Sequence, residues 1–294
     1  MALQPAGPTP EPEAFPRLHW SGTLLYVPAL YGFGWLLVRP LGGLAPGLRP
    51  DQVDLAGAVV ALGLLLLTLP LRLRRTWGER HPWHALGVRA PLPAVLGAFV
   101  QGLLRALALL ALVVGALLAS GSARWIGPAG LEGGEVLNAL ALVVGVGFAE
   151  ELVFRGWLWG ELQRQMAPRG ALLLQAAVFG LVHPWSQAGW LGAVGLLGGL
   201  LLLGLNLALV RRDDGGVLWG AVGLHGGLVG GWFALQAGLL ELLPGSPPWL
   251  AGPGGSQPNP IGGLVGWIGL GGLLVLRGCL KQRCREKGIP DTNV

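Results

Sequence analysis

Glu150 and Glu151 stand side by side in the segment VLNALALVVGVGFAEELVFRGWLWGEL, after an unbroken apolar half-helix. A carboxylate at a membrane helix centre costs about 2.5–3.5 kcal/mol, so such residues persist where they do something. Arg155 follows Glu151 by four residues, which places both on one helical face in the favoured acid-first order. Glu150 is turned about 100° from that face and is left available for chemistry. Two imidazoles also interrupt apolar stretches: His183 in AAVFGLVHPW and His225 in WGAVGLHGGLVGGW. Either alone could be a packing residue bonded to a backbone carbonyl. Counted from the ends of their helices, however, all three groups fall in one layer, about 12–18 Å below one membrane face. A carboxylate with two imidazoles can activate water, as a direct base or by holding a divalent metal. Glu150, His183 and His225 would leave a fourth tetrahedral position of a zinc ion to water.

The elements that must position these residues are helices in lipid. Only 12% of the residues are charged and 52% are hydrophobic. Apolar runs recur at about 21–38, 53–71, 92–118, 136–160, 170–183, 190–210, 216–240 and 261–278, and all but the fifth, which is short and ends before Pro184, are long enough to span a hydrocarbon core. The reading is an all-α polytopic membrane protein of about eight transmembrane helices. Residues 21–278 form one membrane domain, between a Pro-rich disordered tail over 1–20 and a basic cytoplasmic tail over 279–294. The tail lacks a basic residue before Arg17 and does not read as a cleavable signal peptide. The basic residues separate by side. Fifteen of the 20 fall in loops and tails that eight helices place with the two termini, three (Arg39, Arg49, Arg124) fall opposite, and Arg105 and Arg155 lie within spans. The positive-inside rule then puts both termini in the cytoplasm. Gly195, Gly198 and Gly199, between Gly192 and Gly204, predict a close helix-packing face.

Several functions are disfavoured. The net charge of +5 forms no aromatic-interleaved basic stripe, so nucleic acid is not an expected partner. Cys279 and Cys284 lack CxxC spacing and read as reduced cytoplasmic thiols. Neither HExxH nor GxxxxGK[ST] occurs, which removes a helical zincin and an ATP-driven transporter. His81 and His84 lack a third ligand and read as solvated loop residues. Trp77, Trp83, Trp157 and Trp159 read as an interfacial belt. Arg105, deep in the third span, should find an acidic or carbonyl partner or snorkel along a tilted helix.

Phe148–Arg155, with Glu150, Glu151 and Arg155, resembles the EExxxR motif of the CAAX-processing and bacteriocin-processing (CPBP, or Abi) intramembrane proteases. Phe179 and His183 match that family's FxxxH, and His225 the histidine of its third motif, so the resemblance covers about 136–235. It implies a membrane endopeptidase acting on a membrane-associated peptide or protein. Glu150 and His183 would activate water and His225 would support the oxyanion or a metal, with Glu151, Arg155 and Phe179 in supporting roles. It also implies a multi-pass protein of a bacterial plasma or internal membrane. Some members carry Asn or Asp four residues after the third histidine, where this chain has Val229. Asn206 could substitute, or could simply bond between helices. Two other readings stand beside the protease: a non-catalytic scaffold or immunity-type protein that keeps the fold, and a proton-coupled transporter, since buried Glu and His also build proton relays.

Overall fold

The computed structural model describes residues 19–45, 47–185, 189–255 and 258–286. Of the Pro-rich tail expected over 1–20, residues 1–18 lie outside them, as do the last residues of the basic tail, and Trp20 belongs to a helix. Each of the eight expected segments is helical. They are α1 Trp20–Val38, α2 Pro50–Thr76, α3 Leu92–Ala119, α4 Gly133–Gln165, α5 Pro168–Leu181, α6 Gly189–Asp213, α7 Trp219–Ala234 and α8 Leu264–Glu286. Among the described residues six helices are long and apolar enough to cross a membrane, and α5 and α7 are the shorter exceptions. Many large apolar side chains point outward, among them Leu25, Leu36, Leu67 and Leu104, as lipid-facing helices require. The protein is thus an all-α polytopic membrane protein.

The chain divides into two compact units, Met1–Pro82 and Trp83–Val294. In the first, α1 and α2 pair closely. A Cβ at Gly34 would stand 2.7 Å from the Gly57 carbonyl oxygen, so only glycine permits this approach. Tyr26 and Thr68 share a 2.7 Å hydrogen bond, and the Arg72 guanidinium lies 4.6 Å from the centre of the Tyr26 ring.

In the second unit α7 is the central helix. It runs parallel to α3, with Gly223 against the Phe99 carbonyl and Gly231 against Leu110. It runs antiparallel to α4, pairing Gly226 with Val143 and Gly230 with Ala139. The glycine face expected on α6 is present: Gly204 packs on Ala176 of α5, Gly199 on the Ile261 carbonyl and Gly198 on the Trp267 ring. Leu200, Leu203, Leu207, Leu224 and Leu270 fill the core between α6, α7 and α8. A short antiparallel pair, β1 Ala123–Trp125 with β2 Leu240–Leu242, joins the loop after α3 to the loop after α7. Its register sets Arg124 opposite Glu241, bonded through Nε at 3.0 Å.

One expectation changes. Trp157 and Trp159 are buried rather than interfacial, because the last turns of α4 are covered by protein; Trp157 donates its indole N–H to Glu161 at 2.8 Å. Arg105 donates to the side-chain carbonyl of Gln101 at 3.5 Å, a carbonyl partner of the kind expected, and makes no contact ion pair among the described residues. Its charge is still felt by Asp214, beyond the end of α6, whose carboxyl burial pushes up to about 6 while Arg105 pulls the other way.

Candidate active site

Helix α4 is not a uniform α-helix. It passes through π-helical turns at Leu142–Val146 and Leu152–Leu158, and the α-helical turn Gly147–Glu151 between them carries both glutamates. Single π turns inserted in α-helices shift the rotation of all that follows and concentrate at functional sites. Here the second π turn lies across Arg155.

Glu151 and Arg155 pair as the spacing predicts. Arg155 donates from an Nη to Glu151 Oε1 at 2.7 Å, and both side chains are fully buried. The same Oε1 also meets His225 Nδ1 at 2.8 Å, a contact the sequence did not signal. A carboxylate only accepts, so His225 carries its proton on Nδ1 and leaves the Nε2 lone pair free. His183 is arranged likewise. It follows the end of α5, two residues beyond Leu181, and its Nδ1 lies 2.6 Å from the Phe179 carbonyl, which can only accept. Its Nε2 is therefore free too.

Both free nitrogens face Glu150. Its Oε2 stands 3.5 Å from His183 Nε2 and 3.9 Å from His225 Nε2. Three acceptor atoms converge on one small volume, an arrangement that calls for a proton, a water or a cation among them. Glu151 is balanced by Arg155, so Glu150 is the carboxylate of the site without a fixed cation in contact. Exposure ranks the groups: Glu150 is 32% exposed and His183 24%, against 4% for His225. A reactant would meet the first two and find the third behind them.

Phe179 is the fully buried wall. Its ring stands edge-to-face to His183 at 4.6 Å, to His225 at 5.6 Å and to Phe154 at 5.1 Å, with the Arg155 guanidinium 4.1 Å from its centre. One ring thus braces both imidazoles and the buried cation. Gln175, one turn earlier on the same stripe of α5, is buried and donates to the Gly204 carbonyl at 3.1 Å, locking α5 to α6. That role was missed; only its place four residues before Phe179 hints at it.

Asn206 is elsewhere. Its amide donates to the carbonyls of Leu202 and Leu270, the helix–helix bonding weighed as the alternative, and it is consumed there. His81 is exposed just before the short helix Pro82–Ala85, and His84 is exposed within it. Among the described residues no three or more His, Cys, Asp and Glu side chains are gathered as a metal site.

Residues 132–230 match the family model of the Rce1-like type II CAAX prenyl endopeptidases, and residues 4–81 match a domain of unknown function, DUF8676. No curated protein and no solved structure matches the chain.

Proposed function

We propose, on the premise that residues 132–230 form an Rce1-like type II CAAX prenyl endopeptidase domain, that this protein hydrolyses a peptide bond of a membrane-associated substrate with water activated by Glu150. The observation that carries the reading is the convergence of Glu150 Oε2 on both free imidazole nitrogens. A water held among these acceptors donates a proton to Glu150 as its oxygen attacks the substrate carbonyl carbon. The C–N bond then breaks, and the departing amine takes that proton from Glu150. His225, fixed by Glu151, would donate to the carbonyl oxygen as negative charge gathers there when it has first taken a second proton, onto Nε2, from solvent. The buried Glu151–Arg155 pair and Phe179 hold that imidazole in place.

The free Nε2 atoms and Glu150 are also the donors a divalent ion, zinc foremost, would use; bound, it would polarise the carbonyl or the water. As placed, these donors do not form such a site, and the steps above use the side chains alone. One observation favours the non-catalytic scaffold instead: Val229 supplies no amide, and Asn206 is already occupied.

The test is cleavage of a quenched fluorescent lipidated peptide by the detergent-purified protein. Glu150→Gln should lower turnover roughly a hundredfold or more, with the unfolding temperature unchanged. A chelator should leave wild-type turnover within about twofold; loss restored by zinc would assign the ion instead. Full activity in Glu150→Gln would sink the mechanism and promote the scaffold.

A further inference from the structure

Arg211, in the last turn of α6, looks from the sequence like one of two adjacent solvated charges at a helix end. Its neighbour Arg212 is exposed, but Arg211 is buried. Its guanidinium donates to three backbone carbonyls on three segments: Gly216 at 3.1 Å in the turn into α7, Ala85 at 3.0 Å before α3, and Arg155 within the second π turn of α4. The third contact has a specific origin. In an α-helix the Arg155 carbonyl would receive the N–H of Trp159. Here that N–H reaches back one residue further, to Phe154, in the π pattern. The carbonyl it gives up is the one Arg211 takes.

We propose that Arg211 is a positioning residue for the site. By supplying the donor that the π turn withdraws, it stabilises that turn, and with it the placement of Arg155 against Glu151, the carboxylate that holds His225. Without it, the Arg155 carbonyl would be left unpaired in a buried place, a full desolvation penalty with nothing to offset it. The α4 backbone would recover the bond by winding back to α-helix. Each residue of register turns a helix by about 100°, enough to carry Arg155 off Glu151 and so release the carboxylate that holds His225. The bonds to Ala85 and Gly216 fix the two approaches to α3 and α7 against the same guanidinium, so the helices bearing the glutamates and His225 are set from one point.

The kinetic consequence rests on the hydrolase reading, but the geometric one does not, and the experiment separates them. Full-length protein carrying nitrogen-15 histidine in detergent should give a signal from the His225 Nδ1 proton held by Glu151, identified by its loss in His225→Gln. Arg211→Gln should shift or remove that signal. It should also lower kcat on the lipidated peptide about tenfold to a hundredfold with KM little changed. Asn206→Ala, which cuts a different interhelical tie, should lower the unfolding temperature and leave the signal in place. If Arg211→Gln does not fold, Arg211→Lys carries the test, because one ammonium cannot span three carbonyls; the His225 signal must move there as well. An unmoved signal in the folded variants, with only the unfolding temperature reduced, would overturn the proposal and leave Arg211 as a plain clamp. Activity persisting in Glu150→Gln would overturn the hydrolase reading while the His225 signal still decides the role of Arg211.

Discussion

Glu151 and Glu150 are adjacent yet do opposite things, and burial is what separates them. Glu151 lies at full burial with one oxygen shared between Arg155 and His225, so its charge is committed. Replacing it by Gln strands the Arg155 cation in a low-dielectric interior, a loss worth about 3–5 kcal/mol in buried pairs. Glu151→Gln should therefore unfold at clearly lower temperature than Glu150→Gln. Adding Arg155→Met, which removes the stranded charge, should recover most of the difference. Equal unfolding temperatures for the two single variants would show that the pair contributes nothing. At this scale the sequence was informative: the four-residue spacing of Glu151 and Arg155 and the isolation of Glu150 could be read directly. The His225 partner could not, because it comes from a helix 74 residues away.

The helices were legible because lipid demands long apolar runs, and their close contacts because glycine leaves a sequence trace. Gly226 shows how tight the fit is: a Cβ there would collide with the Val143 carbonyl of the first π turn of α4, whereas one at Gly145 meets nothing within 4 Å. Gly226→Ala should destabilise the protein by about 1–3 kcal/mol through overpacking and impair the site beside it. Gly145→Ala should be neutral or slightly stabilising, as expected of Ala for Gly in a helix. Thermal unfolding of the pair decides this, and similar values would refute the steric account. The π turns left no such trace, since they depend on partners such as Arg211 that arrive from other helices. The same blindness misplaced Trp157 and Trp159: an aromatic near a helix end looks interfacial until neighbouring protein covers it. Counting depth from helix ends is also approximate here. His225 comes less than two turns after Trp219 and His183 about four turns after Pro168, because α5 and α7 do not begin at one level.

Across the whole molecule the arginines and lysines segregate fifteen to three between alternate loops. Within the second unit the parallel packing of α3 with α7 and the antiparallel packing of α4 with α7 match helices that alternate in direction. Cysteines placed singly at Trp249 and Lys281 should then label from opposite sides of the membrane, with Lys281 cytoplasmic. Labelling of both from one side would break the eight-helix topology. The small strand pair joining the loops after α3 and α7 bears on how such a chain is made. Arg124 and Glu241 are 117 residues apart, so the clasp cannot close until the four helices between them, α4 to α7, have been synthesised and inserted. Bringing together ends so distant carries a loop-closure penalty that is repaid only once the intervening helices have packed. A nascent chain thus carries its glutamates and His183 into the bilayer well before the helix bearing His225 can be fastened at its far end. Assembly of the site is a late event in biogenesis, and a ribosome stalled before residue 240 leaves a membrane protein with its chemistry incomplete.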